Sequence, residues 1–326
     1  MKNRKTIYCE CQFIKFLPQE QLNDFYRFSN ESVIVLDITF AEFSQECTTN
    51  AIFKFILKRQ QSGGCELKFD FKTEKFIEDC RQGTINPFSP IILIYQSRKQ
   101  RLNENKCGTL YNEFGLLVAD QSDFIEKCNL MQDYGFAIKK DDQSSWKQLL
   151  KNAPCYSNSL LIVDNYLLSD SNKFEMNLLP ILDCILPEKL KTIYNISFFT
   201  QDRNSTLASR ESKIKNIIST IRPKLKFSVN LFIDERNIFH DRVIISNYFW
   251  IQCGAGFDLF GINSKAGHST TLSFLYPFIQ GHVPWAKDAF CNLLEDAKNI
   301  ADTAICNGSI RQFYGEGKGN VLFKMK

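Results

Sequence analysis

The chain has 326 residues, of which 44% are hydrophobic and 23% charged, with only 15 Gly and 9 Pro; this excludes a disordered, collagen-like or linker-dominated protein and leaves room for two domains. Its 40 Lys plus Arg against 36 Asp plus Glu give a formal charge of +4, too small to signal nucleic-acid or membrane-surface binding unless basic residues cluster locally. The 12 Cys include no CxxC pair and lie irregularly, so a disulfide framework and a zinc site are not expected, and reduced thiols in a cytoplasmic protein fit better.

In chain order, MKNRKTIYCE runs directly into a predicted strand from Thr6 to Phe16, so no targeting segment is expected. A helical PQEQLNDFYRF, a strand SVIVLDITF and a helix from Ala41 to Gln61 follow, closed by the Gly63-Gly64 turn. Pro90 to Tyr95 and FGLLVAD, ending at Asp120, read as buried strands; helical signals resume after Ser122 and around SSWKQLLKN. The Pro, Ser and Asn cluster in NAPCYSN sets the expected boundary between a smaller α/β domain, 1–152, and a second, 153–326. The second half reads as strand SLLIVDNYLL, helix NLLPILDCILP, strand TIYNISFFT, helix Ser209 to Ile221, strands KFSVNLFID, RVIISN, YFWIQCG and TTLSFLYPF, and a long helix from Pro284. No apolar run reaches the roughly 18 residues that cross a bilayer; Ser159 to Leu168 is interrupted by Asp164 and Asn165, so no integral membrane association is expected.

The most informative stretch is Ile238 to Gly261, IFHDRVIISNYFWIQCGAGFDLFG. It aligns without a gap to the H-x-K-x4-D-x6-G-S-x-N signature of phospholipase-D-like enzymes. His240 takes the His position, Arg242 the Lys, Asn247 the Asp, and Gly254-Ala255-Gly256-Phe257 the G-S-x-N. In such a signature the His attacks phosphorus, the Lys neutralises phosphate oxygens and the Asp orients a His, with no metal required. His240 and Arg242 are two apart on an extended strand, so both project from one face toward one phosphate. Arg242 keeps the charge, whereas Asn247, Ala255 and Phe257 do not carry the signature's chemistry.

The same stretch resembles the phospholipase-D-like C-terminal domain that follows the microtubule-interacting-and-transport module in eukaryotic trafficking proteins. That family carries I-H-D-R, N-G-W and G-R-G-L-D-x-F runs; here Phe239-His240-Asp241-Arg242, Asn247-Tyr248-Phe249-Trp250 and Gly254-Ala255-Gly256-Phe257-Asp258-Leu259-Phe260 stand in their places. The resemblance implies a phospholipase-D-like mixed sheet flanked by helices that binds a phosphate-bearing ligand rather than cleaving it, through His240, Arg242, Asn247, Gly254 and Gly256. Related bacterial domains are associated with conflict and antiviral defence systems.

Other readings stay open: a single-motif phosphodiesterase or nuclease acting as a homodimer through His240, since a working site of this type needs two facing His motifs, and an adaptor for partner proteins. In a purely structural reading, Arg242 pairs with Asp241 or Asp258 or the run caps strand ends, and Gly254 and Gly256 serve a tight turn or bulge. Seven basic residues from Arg203 to Lys226, among them Arg210, Lys213, Lys215 and Lys224, against one acid, Glu211, form either a nucleic-acid footprint or an ordinary solvated helix face. His268 and His282 read as surface residues. In the first half Asp37, Glu42, Asp120 and Asp123 recur at strand ends, where they either cap helices or gather a divalent metal as in PIN-type nucleases. GxGxxG and GxxxxGK[ST] are absent, and no cofactor is expected.

Overall fold

The computed structural model describes residues 5–82, 90–94, 107–153, 157–166, 168, 174–201, 207–234, 242–276, 284–306, 311–315 and 320–324. The chain divides into two units, one of Met1–Gln132 with Tyr276–Pro284 and Lys326, the other of Asp133–Leu275 with Trp285–Met325.

In the first unit β1 (Lys5–Cys9), β2 (Ser32–Leu36), β3 (Cys65–Lys68), β4 (Pro90–Ile94) and β5 (Leu117–Asp120) form a wholly parallel sheet in the order β3-β2-β1-β4-β5. Parallel sheets carry helices on both faces, which accounts for the continuous apolar runs PIILI and Leu117–Ala119. Pro90 sits at the first strand position, where its missing N–H costs least. The expected strand Thr6–Phe16 stops at Cys9, because Asp37 Oδ1 accepts from the Cys11 N–H at 2.6 Å and a short helix, Cys11–Lys15, begins there. The expected helix 41–61 is two helices, Phe40–Thr49 and Ala51–Gln61. Asn50 breaks it by taking extended backbone (φ −101°, ψ 121°) and capping the Ile52 N–H at 2.9 Å.

The second unit is built on an eight-stranded mixed sheet of β6 (Tyr134–Ile138), β7 (Ser159–Val163), β8 (Tyr194–Thr200), β9 (Phe227–Asp234), β10 (Arg242–Ser246), β11 (Trp250–Cys253), β12 (Thr270–Leu275) and β13 (Arg311–Gly315). Its order is β13-β9-β8-β7-β10-β11-β12-β6. β7, β8 and β9 run parallel; every other pair is antiparallel. The expected α/β class, with a mixed sheet flanked by helices in the C-terminal half, therefore holds. Strands β6 and β13 were not foreseen: YGFAI and RQFYG are short and carry glycine, and neither shows a clear period.

β6 pairs with β12, Phe136 opposite Leu272. Trp146 lies with its ring centroid 5.8 Å from Phe257 and 5.5 Å from Phe260, and donates Nε1–H to Asn177 Oδ1 at 2.8 Å. Residues 133–152 thus group with the second unit, and the contact boundary falls at 132/133 instead of the expected 152/153. Long-range pairing outweighs the local turn chemistry of NAPCYSN.

Cross-strand register lines up polar residues on the parallel part of this sheet: Ser159 with Asn195 and Ser228, then Ser197 with Asn230, all buried. Asn320, fully buried, serves them. Its Oδ1 accepts from Ser159 Oγ (2.5 Å) and the Leu322 N–H (3.0 Å), and its Nδ2 donates to the Leu160 carbonyl (3.0 Å) and Ser197 Oγ (3.1 Å). Among the described residues no helix is long and apolar enough to cross a membrane.

Candidate functional site

β10 opens the site. Its antiparallel register with β7 sets Val243 opposite Val163, and with β11 sets Arg242 opposite Cys253. Continuing the first register by one residue places Arg242 beside Asp164, just past the carboxyl end of β7. The expected strand SLLIVDNYLL ends here because Asp164 Oδ1 accepts from the Tyr166 N–H at 2.7 Å and turns the chain.

Asp164 is buried, and its other oxygen accepts from the Phe257 N–H at 2.6 Å, tying the loop after β11 to the end of β7. Between these amides Gly256 adopts φ +107°, which favours glycine. A Cβ there would stand 3.1 Å from Asp258 Oδ1, 3.3 Å from Asp164 Oδ2 and 3.9 Å from Arg242 Cγ, so the four residues share one small volume. Arg242 is partly exposed. Its guanidinium lies 5.6 Å from the Tyr166 ring centroid and donates to the Gly254 carbonyl at 3.3 Å. The loop is closed from the far side by Thr270, whose hydroxyl oxygen accepts from the Ala255 N–H at 2.9 Å, and by the Cys253 thiol, which donates to the Gly256 carbonyl. Burial pushes that thiol's pKa up.

Of the sequence-predicted site residues, Arg242, Gly254 and Gly256 come together here. His240 and Asp241 lie outside the described residues. Asn247 does not join them: it stands beyond the other end of β10, a strand of five residues and therefore roughly 16 Å away. There it is buried and accepts the Asn158 N–H at 3.0 Å, a main-chain role. Phe257, at the signature's last position, is a core residue packed on Trp146. Sequence reasoning missed Asp164, Tyr166 and Thr270; an Asp immediately after the apolar run SLLIV was the available signal for the first.

The basic run does not form a face of one sign. Arg210 is buried, Lys213 pairs with Glu175 at 3.2 Å over the Phe174 ring, and Lys215 pairs with Glu211 at 2.8 Å. Arg222 is buried and donates to Asp183 Oδ1 at 2.7 Å and to the Leu186 carbonyl at 3.1 Å. Lys224 and Lys226 are exposed, and Arg203 lies outside the described residues. Of the six described basic residues, three are thus ion-paired and a fourth, Arg210, is buried. His268 is exposed; His282 lies outside the described residues.

In the first unit the strand-end carboxylates accept local hydrogen bonds, and Glu42 alone of the four completes a helix cap. Asp37 takes the Cys11 N–H, and Asp120 Oδ1 accepts from the Ser122 N–H and hydroxyl at 2.8 and 2.5 Å. Asp123 Oδ1 accepts the Asp120 N–H, and Glu42 completes a capping box with Thr39. The Thr39 N–H and hydroxyl hold the Glu42 carboxyl below its ordinary pKa. Among the described residues no group of three or more His, Cys, Asp or Glu side chains could hold a metal ion.

No protein-family model matches the chain, and no curated protein matches it. Among solved structures, TrmBL2, described as an archaeal chromatin protein with a novel mode of DNA binding, is similar over 68% of this chain and 68% of its own, at 13% identity and a TM-score of 0.25. A likeness at that TM-score carries no argument about fold or function.

Proposed function

We propose that the second unit is a binding module of degenerate phospholipase-D-like type that takes a phosphate-bearing ligand at the end of β7, with Arg242 as its principal contact. One observation carries this reading: a permanently charged, partly exposed guanidinium is seated on the Tyr166 ring and held by the Gly254 carbonyl where three strand ends meet. A planar fork positioned in this way suits two phosphate oxygens. Binding without efficient cleavage is favoured because Asn247 is uncharged and spent on a main-chain hydrogen bond at the far end of β10, and Phe257 belongs to the core. A short phosphate-bearing ligand is favoured over a long polyanion, since Lys213, Lys215 and Arg222 are already ion-paired.

The test is titration of the purified chain with inorganic phosphate and with a short single-stranded oligonucleotide, for wild type, Arg242→Lys and Arg242→Ala. Loss of the guanidinium is expected to cost about 2 kcal/mol of affinity, the scale of a hydrogen bond to a charged group, with Lys recovering part of it. The salt dependence should be shallow, because few counterions are released from one arginine. A fall in melting temperature of Arg242→Ala with no change in anion affinity would assign Arg242 to the fold and defeat the proposal.

A further inference from the structure

Among the described residues the eight-stranded sheet ends at β6, which is hydrogen-bonded to β12 on one side and to no other strand. Such an edge presents a row of outward N–H and C=O groups to any other extended chain, and proteins ordinarily blunt it with charge, proline, a bulge or a cover. Two edges of the first unit are blunted in this way. β3 carries Glu66 and Lys68 on its exposed positions, and Lys127 Nζ donates to the Val118 carbonyl of β5. Among the described residues β6 shows none of these devices. Its five residues, Tyr134-Gly135-Phe136-Ala137-Ile138, include no charge and no proline, and Gly135, Phe136 and Ala137 are exposed, Phe136 at 37%.

The sequence around this edge is self-complementary. Antiparallel pairing with an identical strand about a dyad at Phe136 sets Tyr134 opposite Ile138 and Gly135 opposite Ala137, with Phe136 meeting its own copy. The two residues that bracket the strand, Asp133 and Lys139, then face each other across the dyad at both ends. Opposite charges directly across a strand pair stabilise it, while like charges do the reverse. Neighbouring registers lose this match. A dyad at Ala137 sets Asp133 against Asp141, and a dyad at Gly135 sets it against Ala137. Tyr134, which stacks on Phe274 at 4.5 Å, and Phe136, 6.3 Å from the same ring, hold the face of the strand in place, so the edge is preformed.

We infer that the outer edge of β6 is an interface for a second copy of this chain, paired antiparallel about Phe136 and fixed in register by Asp133 and Lys139. Five residue pairs bury less than a standard interface, so the dimer is weak and concentration-dependent. This pairing stands apart from the phosphate reading and does not depend on it.

Sedimentation equilibrium over a concentration series tests it on the full chain. Asp133→Lys and Lys139→Glu each turn two attractive contacts into two repulsive ones and should each weaken self-association about tenfold or more. Mixed together, the two variants face Lys against Glu at one end and Lys against Asp at the other, and should associate with near wild-type affinity. Phe136→Lys, which sets two like charges against each other at the dyad, should also give a monomer that stays folded, with a melting temperature lowered by the lost ring contacts to Tyr134 and Phe274. A wild-type chain that stays monomeric throughout the accessible range overturns the inference. So does a dimer indifferent to the two charge reversals, or a mixture that fails to associate although both variants melt like the parent.

Discussion

Arg242 and Asp164 stand side by side where β10 begins and β7 ends, a charge of each sign in one small volume around Gly256. The carboxylate spends both oxygens on main-chain amides, of Tyr166 and Phe257, so its first task is to shape the loop that carries Gly254 and Gly256. Its second effect is electrostatic, because a buried negative charge beside a guanidinium offsets the field that a phosphate would meet.

These two effects separate on mutation. Asp164→Ala leaves two main-chain amides, one of them buried, without their acceptor and should destabilise the chain by about 2–4 kcal/mol, read from denaturant unfolding. Asp164→Asn keeps one acceptor oxygen, should cost less, and should tighten phosphate binding about two- to fivefold by removing the opposing charge. Weaker phosphate binding by a folded Asp164→Asn would mean that the carboxylate, not Arg242 alone, organises the ligand contact.

Asn320 is the keystone of the buried polar stripe on β7, β8 and β9. Asn320→Leu removes the shared partner of the buried Ser159 and Ser197 hydroxyls and should destabilise by about 3 kcal/mol, through lost hydrogen bonds and not lost volume. Asn320→Asp adds a diagnostic. Burial favours the neutral acid, so the folded pKa lies above the unfolded one; stability is greatest below the unfolded pKa and is lost as pH rises. The variant should therefore approach wild type on acidification and be worst at neutral pH. A pH-independent deficit would show that the carboxylate has reached solvent.

The thiols of the first unit make a third case. Burial pushes Cys11, Cys80 and Cys128 up to about 12 and raises Cys9 as well, so the native thiols stay protonated while unfolded ones ionise near their ordinary pKa of 9.0. Their contribution is fully present below about pH 9 and is lost as pH climbs toward 12. We expect slow reaction with a thiol reagent at pH 8 until the chain unfolds. The melting temperature should decline above pH 9, less steeply in a Cys80→Ala, Cys128→Ala variant. Rapid labelling of the native chain, or a flat midpoint across that window, would contradict the burial.

How much of this was legible in the residues differs by level. The α/β class, the strands PIILI, SLLIV and TIYNISFFT and the helix 207–221 follow from apolar patterning, which is a local property. So does the pairing of Arg242 with the Gly254-Ala255-Gly256 loop, because a short hairpin fixes both by its own length. Where periodicity was weak, the three-dimensional structure decided. β6 exists because β12 offers it a partner, and that pairing moved the boundary from 152 to 132. Asn247 could not join Arg242 because the rest of β10, Val243 to Ser246, lies extended between them, a distance that a spacing pattern alone does not show. Asp164 and Arg242, 78 positions apart, are neighbours only because β7 and β10 run antiparallel in one sheet. The basic run lost its single sign for the same reason: Asp183 and Glu175, distant in sequence, are brought by the fold to Arg222 and Lys213. Sequence fixes which groups carry charge and which segments must be buried; only the long-range pairing of strands sets which charges neutralise one another, because an ion pair forms over a few ångströms of space whatever the separation along the chain.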